Sequence, residues 1–107
     1  MILTQEDLVH ILEQTGYPVT ELAFPDDEVP KMPFIVYQDI GSDNFGADNM
    51  VYFPVDQWQI DLYMSDKRRD TEKVLESAFT AHDIFWEREV TFDDDEECYR
   101  STYIITT

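Results

Sequence analysis

Asp93-Asp94-Asp95-Glu96-Glu97 sets five carboxylates in a row, the densest run of chemistry-bearing side chains in this 107-residue chain. Clustered oxygens suit hard cations. A calcium loop of the EF-hand type, however, needs ligands at alternating positions, a glycine at the sixth and a glutamate at the twelfth. Neither 93–97 nor 39–50 supplies that set, so the run reads as a solvated turn and no metal is expected. His10, His82 and Cys98 are too scattered for a zinc spacing. Cys98 is the single cysteine and falls in a β-rich stretch, where a small buried hydrophobe is the expected role. There is no Gly-x-Ser-x-Gly elbow, no phosphate-cradling glycine loop and no histidine–carboxylate pair at a telling spacing. No catalytic residue, cofactor site or metal ligand is expected, and the chain reads as a non-enzyme.

The elements that position these side chains are organised around the stretch from Met50 to His82. Trp58, Ile60 and Leu62 alternate with Gln57, Gln59, Asp61 and Tyr63, the period of a strand with one buried face. Ser65-Asp66 then offers two N-cap residues, and the period changes. Val74, Leu75, Ala78 and Phe79 make one apolar helix face, with Lys67, Arg68, Arg69, Asp70, Glu72, Lys73 and Glu76 covering the rest. The expected core is Leu12, Ile35, Trp58, Ile60, Leu62, Val74, Leu75 and Phe79.

Ahead of this unit, Thr4 is an N-cap with Asp7 at the third helical position, Leu8, Ile11 and Leu12 form a stripe, and Gly16 stops the helix. The first helix spans about 5–15. Residues 17–24 suit a short strand, and three prolines between 25 and 33 impose a loop. Phe34-Ile35-Val36-Tyr37-Gln38 has the run of a strand buried on both faces. Residues 41–50 are dense in turn formers and read as a long loop, followed by a strand over 51–63 in which Pro54 marks a kink. After the second helix, Trp86, Val90 and Phe92 alternate, as do Tyr99, Tyr103 and Ile105. These two strands form a hairpin with the five acids at its tip. The expectation is one α+β domain over 1–107, an antiparallel sheet with two helices packed on it, in the order α-(β)-β-β-α-β-β.

Seven basic residues stand against twenty-four acidic ones, a net charge of −17. A small domain needs a magnitude of only about 2–8 to stay in solution. Such a surface repels phosphate backbones, so direct nucleic-acid binding is not expected. No apolar run nears the roughly 18 residues of a membrane span, so no membrane partner is expected either. The lone cysteine and the lack of a signal-peptide pattern at Met1-Ile2-Leu3-Thr4 suggest synthesis in a reducing cytoplasm.

Three stretches together carry a likeness: Pro30 to Tyr37 with its Pro-Phe-Ile-Val-Tyr strand, Trp58-Gln59-Ile60-Asp61-Leu62-Tyr63, and the charged helix start Asp66-Lys67-Arg68-Arg69-Asp70 with Glu72 and Glu76. This order resembles the tail-terminator (tail-completion) proteins of long-tailed phages and prophages, over roughly residues 4–105. Leu62, Tyr63, Lys67, Asp70 and Glu72 occupy places comparable to that family's, while Arg68-Arg69 is an insertion relative to its shortest form. The resemblance implies a virion tail protein made in the host cytoplasm. It would form a hexameric ring on the head-proximal end of the tail tube, stop tube polymerisation and dock to the head–tail connector. Its partners would be other copies of itself, the tail-tube protein and the connector protein.

Phe45, Met50, Val51, Tyr52 and Phe53 hold more apolar surface than one hairpin end can easily hide, which makes them the candidate subunit or partner interface. Asp39, Asp43 and Asp48 are the candidate acidic channel or surface, since DNA crossing a tail channel must not adhere to its wall. The alternative from another class is a small acidic inhibitor that mimics DNA and occupies a basic nucleic-acid-binding cleft.

Overall fold

The structure is a computed structural model that describes residues 4–42, 45–47, 50–53 and 56–106; for 45–47 and 50–53 the description is of the backbone. Helix α1 (Gln5–Glu13) opens with a reciprocal cap. The Asp7 amide donates to Thr4 Oγ1 at 3.1 Å, and the Thr4 amide donates to Asp7 Oδ2 at 3.1 Å. Two of the amides that a helix start leaves unpaired are thereby satisfied. Leu8, Ile11 and Leu12 are buried, and Gly16 leaves the helix at φ +83°, a conformation that glycine adopts without strain. Leu3, which would staple this end, lies outside the described residues.

The chain continues through β1 (Val19–Glu21), a short 3-10 turn at Asp26–Glu28, and β2 (Phe34–Ser42). Next come β3 (Phe45–Ala47), β4 (Met50–Phe53), β5 (Asp56–Met64), helix α2 (Arg68–Ala81), β6 (Trp86–Asp93) and β7 (Cys98–Thr106). The five-stranded sheet has the order β1-β2-β5-β7-β6, and β3 pairs with β4 in a second, two-stranded sheet. Every pairing is antiparallel except β1 with β2, which is parallel. The fold is α+β.

Register decides which residues enter the core. Ile35 faces Leu62, Tyr37 faces Ile60, and Trp58, Ile60 and Leu62 face Ile105, Tyr103 and Ser101. These side chains share one face of the sheet, and both helices pack on it. The core there joins Leu8, Ile11 and Leu12 of α1 to Leu75 and Phe79 of α2 and to the sheet residues Ile35, Tyr37, Trp58, Ile60, Leu62, Met64, Tyr103 and Ile105.

Four expectations need correction. Helix α2 is not capped by Ser65 or Asp66: β5 runs on through buried Met64, and Lys67 takes the cap position at φ +50° with no side-chain cap. Asp70, in the first turn, supplies negative charge that favours this end. Val74 is 41% exposed, because the inward face of α2 is rotated to Thr71, Glu72, Leu75 and Phe79. Strand β2 is buried on one face only: Phe34 and Val36 are half-buried on the side away from the helices. The long loop of 41–50 and the single strand of 51–63 give way to β2 reaching Ser42, then the β3–β4 hairpin, then β5. Pro54 lies outside the described residues.

Candidate functional site

Helix α2 is amphipathic, yet a carboxylate sits at the centre of its inward face. Glu72 is wholly buried. It is reached by Arg68 Nη1 at 3.1 and 3.2 Å and by Arg69 Nη1 at 2.8 Å, one helical turn earlier. Ser101 of β7 donates its hydroxyl to Glu72 Oε2, and Arg88 of β6 lies 3.5 Å from Glu72 Oε1. One turn further on, Glu76 accepts from the Arg88 guanidinium and, at 2.6 Å, from the Tyr103 hydroxyl. Seven side chains from three elements thus form one polar cluster under α2.

Burial pushes the Glu72 carboxyl up, but the Ser101 hydrogen bond and the charges of Arg88 and Arg68 outweigh it, with help from Arg69. The group is held below the ordinary carboxylate range. Burial and the neighbouring Glu76 carboxylate push the Tyr103 phenol far up, so it stays a neutral donor. A general base needs a free lone pair facing its substrate. The lone pairs of Glu72 are taken by three donors, so the cluster fastens α2 to β6 and β7 rather than offering a proton acceptor. Glu72 and Glu76 were expected on the solvent side of α2; they face the sheet because Arg88 and Ser101 receive them there.

The opposite face of the five-stranded sheet carries no helix among the described residues. Phe34 stacks on Tyr63 with ring centroids 5.0 Å apart, and Phe24 meets the edge of Phe34 at 5.4 Å. These rings adjoin a groove of about 570 Å³ lined by Val29, Pro30, Met32, Phe34, Tyr63 and Cys98, among others. Cys98 is buried, and burial with the nearby Asp93 and Glu96 carboxylates pushes its thiol up, away from the reactive thiolate. Further along this face Asp61, 7% exposed, accepts from Thr102 Oγ1 at 2.7 Å and from Gln59 Nε2 at 3.1 Å.

The acidic hairpin tip organises its own backbone. Asp93 Oδ1 accepts from the amides of Asp95 at 3.0 Å and Glu96 at 3.2 Å, the bonding of an Asx-type turn. Among the described residues no three His, Cys, Asp or Glu side chains gather to hold a metal ion. No described helix is long and apolar enough to cross a membrane.

The candidate interface residues fall on the second sheet. Phe45 pairs with Phe53, Gly46 with Val51 and Ala47 with Met50, while Tyr52 lies within β4. Asp39 is exposed near the end of β2, where its carboxylate accepts from the Gly41 amide at 2.8 Å beside a bulge in the β2–β5 ladder. Asp43 and Asp48 lie outside the described residues. The structure thus places Asp39 and the five interface candidates on neighbouring parts of the chain, on the strand leading out to the hairpin and on the hairpin itself. The sequence reading missed the cluster around Glu72. Its one visible signal was Arg68-Arg69 standing four and three residues before a glutamate.

No protein-family model matches the chain, and no curated protein matches its sequence.

Proposed function

We propose that this chain is a phage structural subunit that forms a ring at the head-proximal end of the tail tube, ends tube polymerisation and docks to the head–tail connector. The observation that carries the reading is the division of the chain into a five-stranded body and a hairpin that, among the described residues, pairs with no strand of that body. The body is locked internally by the Glu72 cluster. The hairpin holds Phe45, Met50, Val51, Tyr52 and Phe53, an apolar set suited to another protein's surface. Resemblance to tail-terminator proteins over Pro30–Tyr37, Trp58–Tyr63 and Asp66–Glu76 supports the same assignment. A ring of −17 subunits would also present DNA with a wall that does not adhere to phosphate.

The role is one of assembly and not catalysis, with the tail-tube protein, the connector and further copies of the chain as partners. Adding the chain to its tail-tube protein during polymerisation tests this by electron microscopy. Shortened tubes carrying a ring at one end are expected, and Phe45→Asp with Met50→Asp should return the tubes to uncontrolled length. Tubes of unchanged length with wild-type chain would contradict the reading. Unchanged tubes together with tight binding of the chain to a nuclease, read in a separate binding titration, would favour the DNA-mimic inhibitor.

A further inference from the structure

Strand β6 is an edge of the five-stranded sheet: among the described residues it has β7 on one side and no strand on the other. Its outer rim is a row of backbone donors and acceptors, a template on which another extended chain can pair. Proteins blunt such edges with short strands, prolines, bulges, outward lysines or a covering element. The other edge fits that pattern, since β1 has three residues and Pro18 directly before it. Strand β6 does not fit it. It has eight residues without a proline, and its register against β7 is unbroken from Trp86–Ile105 to Asp93–Cys98. Arg88, its one cation, turns onto Glu76 and Glu72 under α2 and puts no positive charge on the rim.

The two faces of this edge differ in kind. Glu87, Glu89, Thr91 and Asp93 pair with Ile104, Thr102, Arg100 and Cys98, on the face where Thr102 donates to Asp61. All four of these β6 side chains are exposed, and three are carboxylates. On the adjoining strand Arg100 is the one cation of this face, while beyond Asp93 the tip adds Asp94, Asp95, Glu96 and Glu97. Val90 and Phe92 take the other face, paired with Ser101 and Tyr99. They remain 40% and 47% exposed, so α2 leaves this part of the rim open.

The carboxylates decide what can pair here. Like charges set opposite each other across a ladder destabilise it. A second copy would bring its own Glu87, Glu89 and Asp93, or Glu21 of β1, and meet repulsion. An extended segment with lysine or arginine at every second position meets carboxylates instead. The residues between them then fall on the face of Val90 and Phe92, where apolar side chains fit.

We propose that β6 takes an added strand from a different protein, an extended basic segment in which cationic and apolar residues alternate. The segment runs antiparallel to β6, the slightly more stable pairing. Backbone hydrogen bonds supply the affinity, and the two unlike faces select the side chains. The acidic tip beyond Asp93 steers such a segment toward the edge and speeds the encounter. The edge takes it whether or not the chain ends a tail tube.

Fluorescence anisotropy with labelled peptides near physiological ionic strength tests this site. The probe alternates lysine and valine over eight residues, the length of β6. One control holds the same residues in two blocks. A second is the alternating sequence N-methylated at every residue, which keeps the charge and loses the pairing. The alternating peptide should bind about tenfold or more tightly than either control. Glu87→Lys with Glu89→Lys should weaken it about tenfold. Glu6→Lys with Glu13→Lys, an equal change of net charge at exposed positions of α1, should leave it within about twofold. Equal binding of the block and alternating peptides, or equal losses in the two charge variants, would show general attraction to an acidic surface and overturn the edge site. Failure of the alternating peptide to bind would overturn it as well. Binding that appears only as a wild-type oligomer dilutes to monomer would give the edge to a second copy, again against the proposal.

Discussion

Glu72 draws two guanidinium groups from its own helix and a third from β6 onto one carboxylate inside the fold. Breaking a buried ion pair by removing one partner typically costs about 3–5 kcal/mol. Here the Arg68, Arg69 and Arg88 side chains keep 30%, 51% and 24% of their exposure, so water can serve them once the charge is lost. Glu72→Gln should therefore cost about 2–3 kcal/mol, below that range, as measured by urea unfolding. The pH dependence has a definite sign. The carboxyl is held low in the folded chain, so its contribution is full above the unfolded-state value and is lost as pH falls through the lower folded value. Acid titration of stability should show this loss in wild type and a flatter curve over the same window in Glu72→Gln. Equal slopes would mean that Glu72 is not ionised in the fold. In the sequence this residue looks like one more surface acid, because Arg68 and Arg69 precede it at helix spacing. What turns it inward, Ser101 and Arg88, lies 29 and 16 positions away and becomes adjacent only through the β6–β7 hairpin.

At the scale of elements, the alternation at Trp58, Ile60 and Leu62 was legible because a two-residue period allows only one buried set. The rotation of α2 was not, since Val74 and Leu75 are equally apolar and differ by about 100° around the axis. The two positions make a direct comparison. Leu62→Ala, wholly buried on β5, should cost about 2–5 kcal/mol. Val74→Ala, 41% exposed, should change stability by less than about 0.5 kcal/mol. A large loss at Val74 in thermal or urea unfolding would put the helix back in the orientation expected from its apolar pattern. The β3–β4 hairpin also escaped the sequence reading. Its strands are three and four residues long, and Gly46, Asp48 and Asn49 gave the stretch the composition of a loop. Thr4, in contrast, stood out at once, because capping chemistry is local to four residues.

For the whole molecule, shape and charge bear on assembly. Its long axis is 48 Å against 27 and 23 Å, and its radius of gyration is 14.9 Å, above the roughly 13 Å of a compact chain this long. In the proposed ring each subunit would meet its neighbours through two different patches. Its acidity supplies the opposing force, so assembly should strengthen as ionic strength rises from very low values. Native mass measurement of the wild-type chain, across protein concentration and salt, tests the central claim most directly. The account predicts one discrete closed species of six copies, growing at the expense of monomer as repulsion is screened. A monomer under every condition, or an open-ended ladder of masses with no preferred size, would contradict it.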